Sequence, residues 1–248
     1  FYRIYHNKND FHNPFDTSAM ENSAFFVMCP YFCESPLKDR MTEVGKFLYK
    51  HHFYRELWQL LGAYVDSEDI EYWRLAARAY YREKDYRSAD MAYTNVLELN
   101  ADDMQAIRGK ALTGFYLEDY EQAVEYNKKL LEMDATNEHV QLNLAVSLTN
   151  NDEIEEGMSL LFKLNYDHPE NLSIQRSLAW GYLRQQKPQQ AAPIYTRLLA
   201  NQHRMPTDCL NAGYCQWFLS NMEEAINLFK QYVTETNKER PMPGANAL

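Results

Sequence analysis

Apolar residues return at three- and four-residue intervals over most of this chain. Trp73, Ala76, Ala77 and Tyr80 stand at i, i+3, i+4 and i+7, the mark of one buried helical face. After the charged stretch Glu83-Lys84-Asp85, Ala89, Tyr93 and Val96 continue the pattern at spacings of four and three. The spacing predicts two antiparallel helices joined by a tight polar turn. No stretch of useful length alternates apolar and polar residues, so strands are not expected.

The pattern is periodic. Ala77, Ala111, Ala145, Ala179 and Gly213 are 34 residues apart at each step, and so are Ala89, Ala123, Gly157, Ala191 and Ala225. Two further columns are mostly large and apolar: Tyr93, Asn127, Leu161, Tyr195, Phe229, and Val96, Leu130, Leu164, Leu198, Tyr232. A fixed period of this length implies stacked supersecondary units, each too small to bury its apolar face alone. Small residues belong where the two backbones approach most closely, because overpacking there costs about 1–3 kcal/mol. Between units, Asn100-Ala-Asp-Asp, Asp134-Ala-Thr-Asn and Asp167-His-Pro-Glu-Asn end one helix and supply polar caps for the next. Pro188 and Pro206 fall at or near helix starts, where a missing N–H costs little.

These residues resemble the tetratricopeptide repeat, with its W-x2-L-G-x2-Y, A-x3-F and closing Pro. Trp73-x2-Ala76-Ala77-x2-Tyr80 with Ala89-x3-Tyr93 is similar to it. So are Leu144-Ala145-x2-Leu148 with Gly157-x3-Leu161 and Pro169, and Leu178-Ala179-x2-Tyr182 with Ala191-x3-Tyr195. The resemblance implies an all-α fold, a right-handed superhelical solenoid of antiparallel helix pairs whose first helices line a concave groove. The second repeat departs most, with Lys110, Gly114 and Asn127 at positions expected to be apolar. Either its packing is looser, or Phe115, Tyr116, Tyr120 and Tyr126 fill the space.

The expected organisation is five repeats over 70–237, preceded by a divergent helical repeat over 36–69. Residues 1–35 form an irregular, aromatic-rich segment in which Ser18-x-x-Glu21 suits a short capped helix. Residues 238–248 are a tail or the start of a further repeat. The opening Phe and the lack of a polar capping helix after Phe229 and Tyr232 fit a fragment of a longer repeat protein; alternatively, the uncovered end pairs with a second copy.

Composition narrows the chemistry. With 25 Lys+Arg against 35 Asp+Glu the net charge is -10, which disfavours phosphate-backbone binding, so nucleic acid is not expected as a partner. No transmembrane or secretory segment is visible, and a cytoplasmic location is expected, with no membrane partner. The four cysteines make no disulfide framework. Cys29-x3-Cys33, with His6, His12, His51 or His52, is the one pair to weigh for zinc, but its spacing is not that of a usual finger. No metal or cofactor is assigned. The eight glycines make no phosphate loop, and neither Gly-x-Ser-x-Gly nor His-Glu-x-x-His occurs, so no enzyme activity is expected.

The expected role is protein binding. The resemblance places Arg74, Arg78, Arg82 and Arg108 on the groove, the first three at i, i+4 and i+8. Such a stripe suits a partner with acidic groups; the competing reading pairs these arginines with carboxylates on neighbouring helices. Tyr116, Trp180, Tyr214 and Trp217 are the aromatic candidates for apolar anchors. Phe115, Leu142, Val146, Leu183 and Phe218 share that surface. The dicarboxylate clamp of chaperone-adaptor arrays is absent: Arg74 fits it, but Arg78, Gly109, His139 and Asn143 replace the other residues it requires. The alternative role is assembly, in which the array self-associates or fills its groove with Phe25-Phe26-Val27-Met28.

Overall fold

The computed structural model describes residues 41–63 and 68–239, and among these residues there are twelve helices and no strand. In chain order they are α1 (Met41–Lys50), α2 (Tyr54–Ala63), α3 (Ile70–Arg82), α4 (Tyr86–Leu99), α5 (Met104–Tyr116), α6 (Tyr120–Met133), α7 (Glu138–Asn150), α8 (Ile154–Asp167), α9 (Leu172–Arg184), α10 (Pro188–Ala200), α11 (Pro206–Phe218) and α12 (Met222–Glu239). The expectations for Ser18-x-x-Glu21, Cys29-x3-Cys33, Phe25–Met28 and the last nine residues lie outside the described residues. Two compact units divide between Gln122 and Ala123, within α6.

Each first helix stops in the same way. The residue at position 52, 84, 118, 152, 186 or 220 takes a positive φ of 59–66°, and none of the six is glycine. The next backbone N–H then reaches back five residues, as in Asp85 to the Tyr80 carbonyl at 3.0 Å and Lys187 to that of Tyr182 at 2.8 Å. This is the Schellman geometry, which satisfies carbonyls the helix leaves unpaired and reverses the chain. The left-handed positions from Lys84 to Ser220 keep the 34-residue step, and His52 precedes Lys84 by 32 residues.

The polar turns between pairs act as caps. The side chains of Asp69, Asp103, Asn137 and Asn171 accept backbone N–H groups in the first turn of α3, α5, α7 and α9. This meets donors that would otherwise be orphaned.

In the first unit the core gathers Leu48, Leu57, Leu60, Leu75, Ala77, Ala89, Tyr93 and Val96 from α1 to α4. In the second, Met158, Leu161, Leu164, Ile174 and Leu178 form one cluster, and Leu183, Tyr195, Leu198, Ala212, Cys215 and Leu228 another. Both columns of small residues are buried in their units. Gly157 shows how close the helices come, since an added Cβ would stand 2.7 Å from the Ala145 carbonyl oxygen of α7.

Lys110, which breaks the apolar pattern, is buried but satisfied. Its Nζ donates to Asp90 Oδ2 at 2.6 Å and to Thr94 Oγ1 at 3.2 Å. Thr113 and Gln122 donate to the other Asp90 oxygen at 2.6 and 2.8 Å. The second repeat thus replaces part of an apolar joint by a connected polar network, tolerable because its members are paired.

Candidate functional site

The arginine stripe of α3 divides. Arg74 Nε donates to Asp103 Oδ2 at 2.9 Å, and its guanidinium also reaches Glu71. Asp103 has its side chain only 4% exposed and caps α5, so this ion pair ties the first turn of α5 back to α3. Burial pushes the Glu71 carboxyl up, but hydrogen bonds and charge from Lys46 and Arg74 together hold it below the ordinary value. Arg78 donates to Gln105, again in the first turn of α5. Arg82 turns the other way and lies 5.2 Å from the centroid of the Tyr54 ring, a cation–π contact to α2. Arg108 is exposed and makes no hydrogen bond or ion pair among the described residues.

Tyr116 lies two turns beyond Arg108 on α5. It stacks flat on Tyr86, with centroids 4.4 Å apart and planes 8° from parallel, and remains 49% exposed. Tyr81 meets it edge-on at 6.0 Å. Burial, then the Tyr116 hydroxyl, push the Tyr81 phenol far above its ordinary pKa, so it stays neutral and serves as a hydrogen-bonding wall. In the first unit, then, Arg108 and the outer face of Tyr116 carry functionality that the fold has not consumed.

In the second unit Trp180 is half-buried and its Nε1 donates to Asn150 Oδ1 at 3.2 Å. Arg184 reaches the same Asn150 oxygen at 3.4 Å and Asp152 Oδ1 at 2.5 Å. Tyr214 and Trp217 both lean edge-on against Phe229, at 5.4 and 6.3 Å, and both are exposed. Tyr214 and Trp217 therefore share one aromatic platform, while Trp180 belongs to a separate polar cluster with Asn150 and Arg184.

Sequence reasoning read Asp103 only as part of a capping turn and did not single out Asp208, yet both carboxylates are ion-pair partners. Asp103 holds Arg74, and Asp208, its side chain 2% exposed, holds Arg176 through bonds of 2.7 and 2.9 Å. Arg176 also donates to the His203 carbonyl at 2.9 Å. Arg74, Arg108 and Arg176 fall in one column of the repeat.

Among the described residues no cluster of three His, Cys, Asp or Glu side chains suits a metal. Cys209 and Cys215 are buried free thiols. Burial pushes Cys215 up to about 11, away from thiolate reactivity. No helix among these residues is long and apolar enough to cross a membrane.

The fold matches solved tetratricopeptide structures. A tetratricopeptide repeat protein from Parabacteroides merdae ATCC 43184 superposes with a TM-score of 0.68 at 18% identity, over 94% of this chain and 90% of that one. MamA MSR-1 gives 0.56 at 17% identity, over 79% and 99%. TTC0263, a thermophilic tetratricopeptide protein of Thermus thermophilus, gives 0.56 at 16%, over 68% and 93%. At such identities the likeness is one of fold: the chain is an all-α array of tetratricopeptide-type helix pairs. No curated protein sequence matches it. The family model of intraflagellar transport protein 56 matches residues 73–242, most of the described array, and the chain belongs to that family.

Proposed function

We propose that this chain is a non-enzymatic scaffold that binds a peptide or protein segment along its first helices, within the machinery its family's name describes. The observation that carries the reading is the unspent chemistry of α5. Arg108 is exposed and unpaired among the described residues, and Tyr116 presents an open ring braced by Tyr86. A guanidinium and a rigid aromatic face two turns apart on one helix suit a partner segment that carries both a carboxylate and an apolar group. Arg82 adds a second cation, and Trp180, Tyr214 and Trp217 are the proposed apolar anchors of the second unit. Arg74 serves the partner through the shape it maintains, because its guanidinium already bonds Asp103 and Glu71, whereas Arg78, bonded to the neutral Gln105 side chain, keeps its charge and further donors for the partner's acidic groups. The helix pair α1–α2 is a divergent first repeat in this reading, supported by the left-handed turn at His52. A cytoplasmic or flagellar compartment follows from the proposed role.

The test is co-purification from an extract of flagellated cells, with partners identified by mass spectrometry. Arg108→Glu combined with Tyr116→Ala should deplete specific partners while leaving the helical circular dichroism unchanged. Equal recovery with the parent and the double variant would refute the groove reading.

A second reading, self-association, is favoured by one observation. Trp217, Phe218, Met222, Ile226 and Val233 on α11 and α12 are each more than half exposed, a grouping of large apolar residues that soluble monomers seldom leave open. Light scattering decides it: Trp217→Ser with Ile226→Ser should convert a dimer to a monomer, and a parent already monomeric at high concentration would end the idea.

A further inference from the structure

The accessible faces of the first helices carry different chemistry in the two units. In the second unit α7 packs on α9 and α9 on α11, so equivalent positions of the three stand side by side. Two columns result, three residues apart on each helix and therefore neighbours on one face. One holds Asn143, Ser177 and Asn211, and the other Val146, Trp180 and Tyr214. Every member is exposed or half-buried. In the first unit the amide column holds Leu75 and Gly109 instead, Leu75 buried and Gly109 lying against the Tyr93 ring. Packing of the repeat does not call for amides there.

The two amides have no partner. Neither the Asn143 nor the Asn211 side chain makes a hydrogen bond among the described residues, and Asn143 contributes only its backbone carbonyl, to Ser147. Ser177 donates to the Ser173 carbonyl at 2.9 Å and keeps its lone pairs. The rings beside them are held in place, Trp180 by Asn150 and Tyr214 by Phe229. Charge, by contrast, is neutralised locally. Arg176 bonds Asp208, Arg184 bonds Asp152, and Glu138 bonds His168. Apart from His139, these three helices hold no other Lys, Arg, His, Asp or Glu.

Spacing selects the conformation that such a face reads. Packed helices lie roughly 8–10 Å apart. A β-strand covers that distance in about three residues, but its groups alternate with period two, so successive contacts fall on opposite faces. Polyproline II advances about 9.3 Å in each three-residue turn and offers the same edge to each helix in succession. Its carbonyls make no internal hydrogen bonds, and proline brings no N–H of its own, which suits the donor end of a side-chain amide. Its rings pack well on aromatic faces.

The geometry points to α7, α9 and α11 as the seat of an uncharged, proline-rich segment of a partner protein in the polyproline II conformation. Asn143 and Asn211 donate to carbonyls two ligand turns apart, and Val146, Trp180 and Tyr214 receive the proline rings. The inference rests on the groove reading and deepens it: the first unit offers cations, and the second reads neutral backbone.

The test is NMR on the full chain, following side-chain amide and indole signals during titration with acetyl-nonaproline amide, which spans about 28 Å. A Gly-Ser peptide of equal length is the control. Shifts should centre on Asn143, Asn211 and Trp180, and the flexible control should bind at least about tenfold more weakly. Asn143→Ala and Asn211→Ala should each weaken proline binding about twofold to tenfold, the range of one neutral hydrogen bond. Tyr214→Ala, at an exposed ring, serves if the Asn211 variant fails to fold. Raised salt should leave the affinity unchanged. An absence of shifts at these side chains, equal binding of the control, or indifference to the asparagine changes would overturn the proposal. The Arg108→Glu, Tyr116→Ala protein separates the two claims. Partners lost from it, with no proline binding by the parent, end this proposal and leave the groove reading standing; partners retained by it, with proline binding intact, uphold this proposal and end the reading of α5.

Discussion

Gly157→Ala adds one methyl group at a close main-chain crossing of the second unit. The new Cβ would lie 2.5 Å from Thr149 Oγ1, 2.7 Å from the Ala145 carbonyl oxygen and 3.0 Å from the Thr149 nitrogen. Two of these obstacles are backbone inside α7, and the Thr149 hydroxyl is held by a 2.8 Å bond to that same carbonyl. None can swing aside. Relieving the carbonyl contact to about 3.4 Å requires α7 and α8 to part by roughly 0.7 Å, and a gap of that size forfeits a quarter to a half of each contact's attraction. Met158, Leu161 and Leu164 are buried on α8 and feel the opening. Overpacking of this kind costs about 1–3 kcal/mol, while alanine regains about 1 kcal/mol of helix propensity. Because rigid backbone is the obstacle, the cost lies toward the upper end, and the expected net loss is about 1–2 kcal/mol. Urea denaturation followed by far-UV circular dichroism measures it against two controls. Gly62→Ala meets nothing within 4 Å and should gain about 0.5–1 kcal/mol. Gly181→Ala meets only the movable Met158 thioether and should fall between the two. A Gly157→Ala protein as stable as its parent would show that backbone contact does not set the helix spacing.

The remaining expectations concern charge and turns. Arg74→Ala strands the buried Asp103 carboxylate and should cost about 2–3 kcal/mol in the same assay, less than a fully buried pair because Arg74 is partly exposed; Arg108→Ala should change stability by under about 0.5 kcal/mol. Glu56 is 4% exposed, and burial raises its pKa, so the folded protein disfavours its charge. Its folded pKa lies above its unfolded one, so stability falls as pH rises from about 4.5 through the folded value; Glu56→Gln should raise the melting temperature at pH 7 and lose that advantage near pH 4, and a gain independent of pH would contradict the assignment. Gln186→Gly relieves a left-handed residue at φ 59° and should stabilise by up to about 1 kcal/mol, read as a higher urea midpoint; a lower midpoint would show that the side chain matters more than the backbone strain.

Spacings of three and four residues mark a helical face, and their return every 34 residues marks stacked pairs, because burial of a face is a local property repeated down the chain. The same locality made the caps at Asp103, Asn137 and Asn171 legible. The positive-φ turns were placed in sequence by Glu83-Lys84-Asp85, but without glycine nothing in the residues disclosed their left-handed geometry.

What the chain could not disclose by itself is which partner each polar side chain would meet. Arg74 and Arg108 share a column, yet one is bound to a buried carboxylate and the other stands free among the described residues. The difference lies in a carboxylate 29 residues away, brought alongside only when two helices pack. Lys110 looked like a defect in an apolar face until packing set Asp90, Thr94, Thr113 and Gln122 around it. Periodic burial is written along the chain, whereas pair energies depend on distances that exist only after it folds.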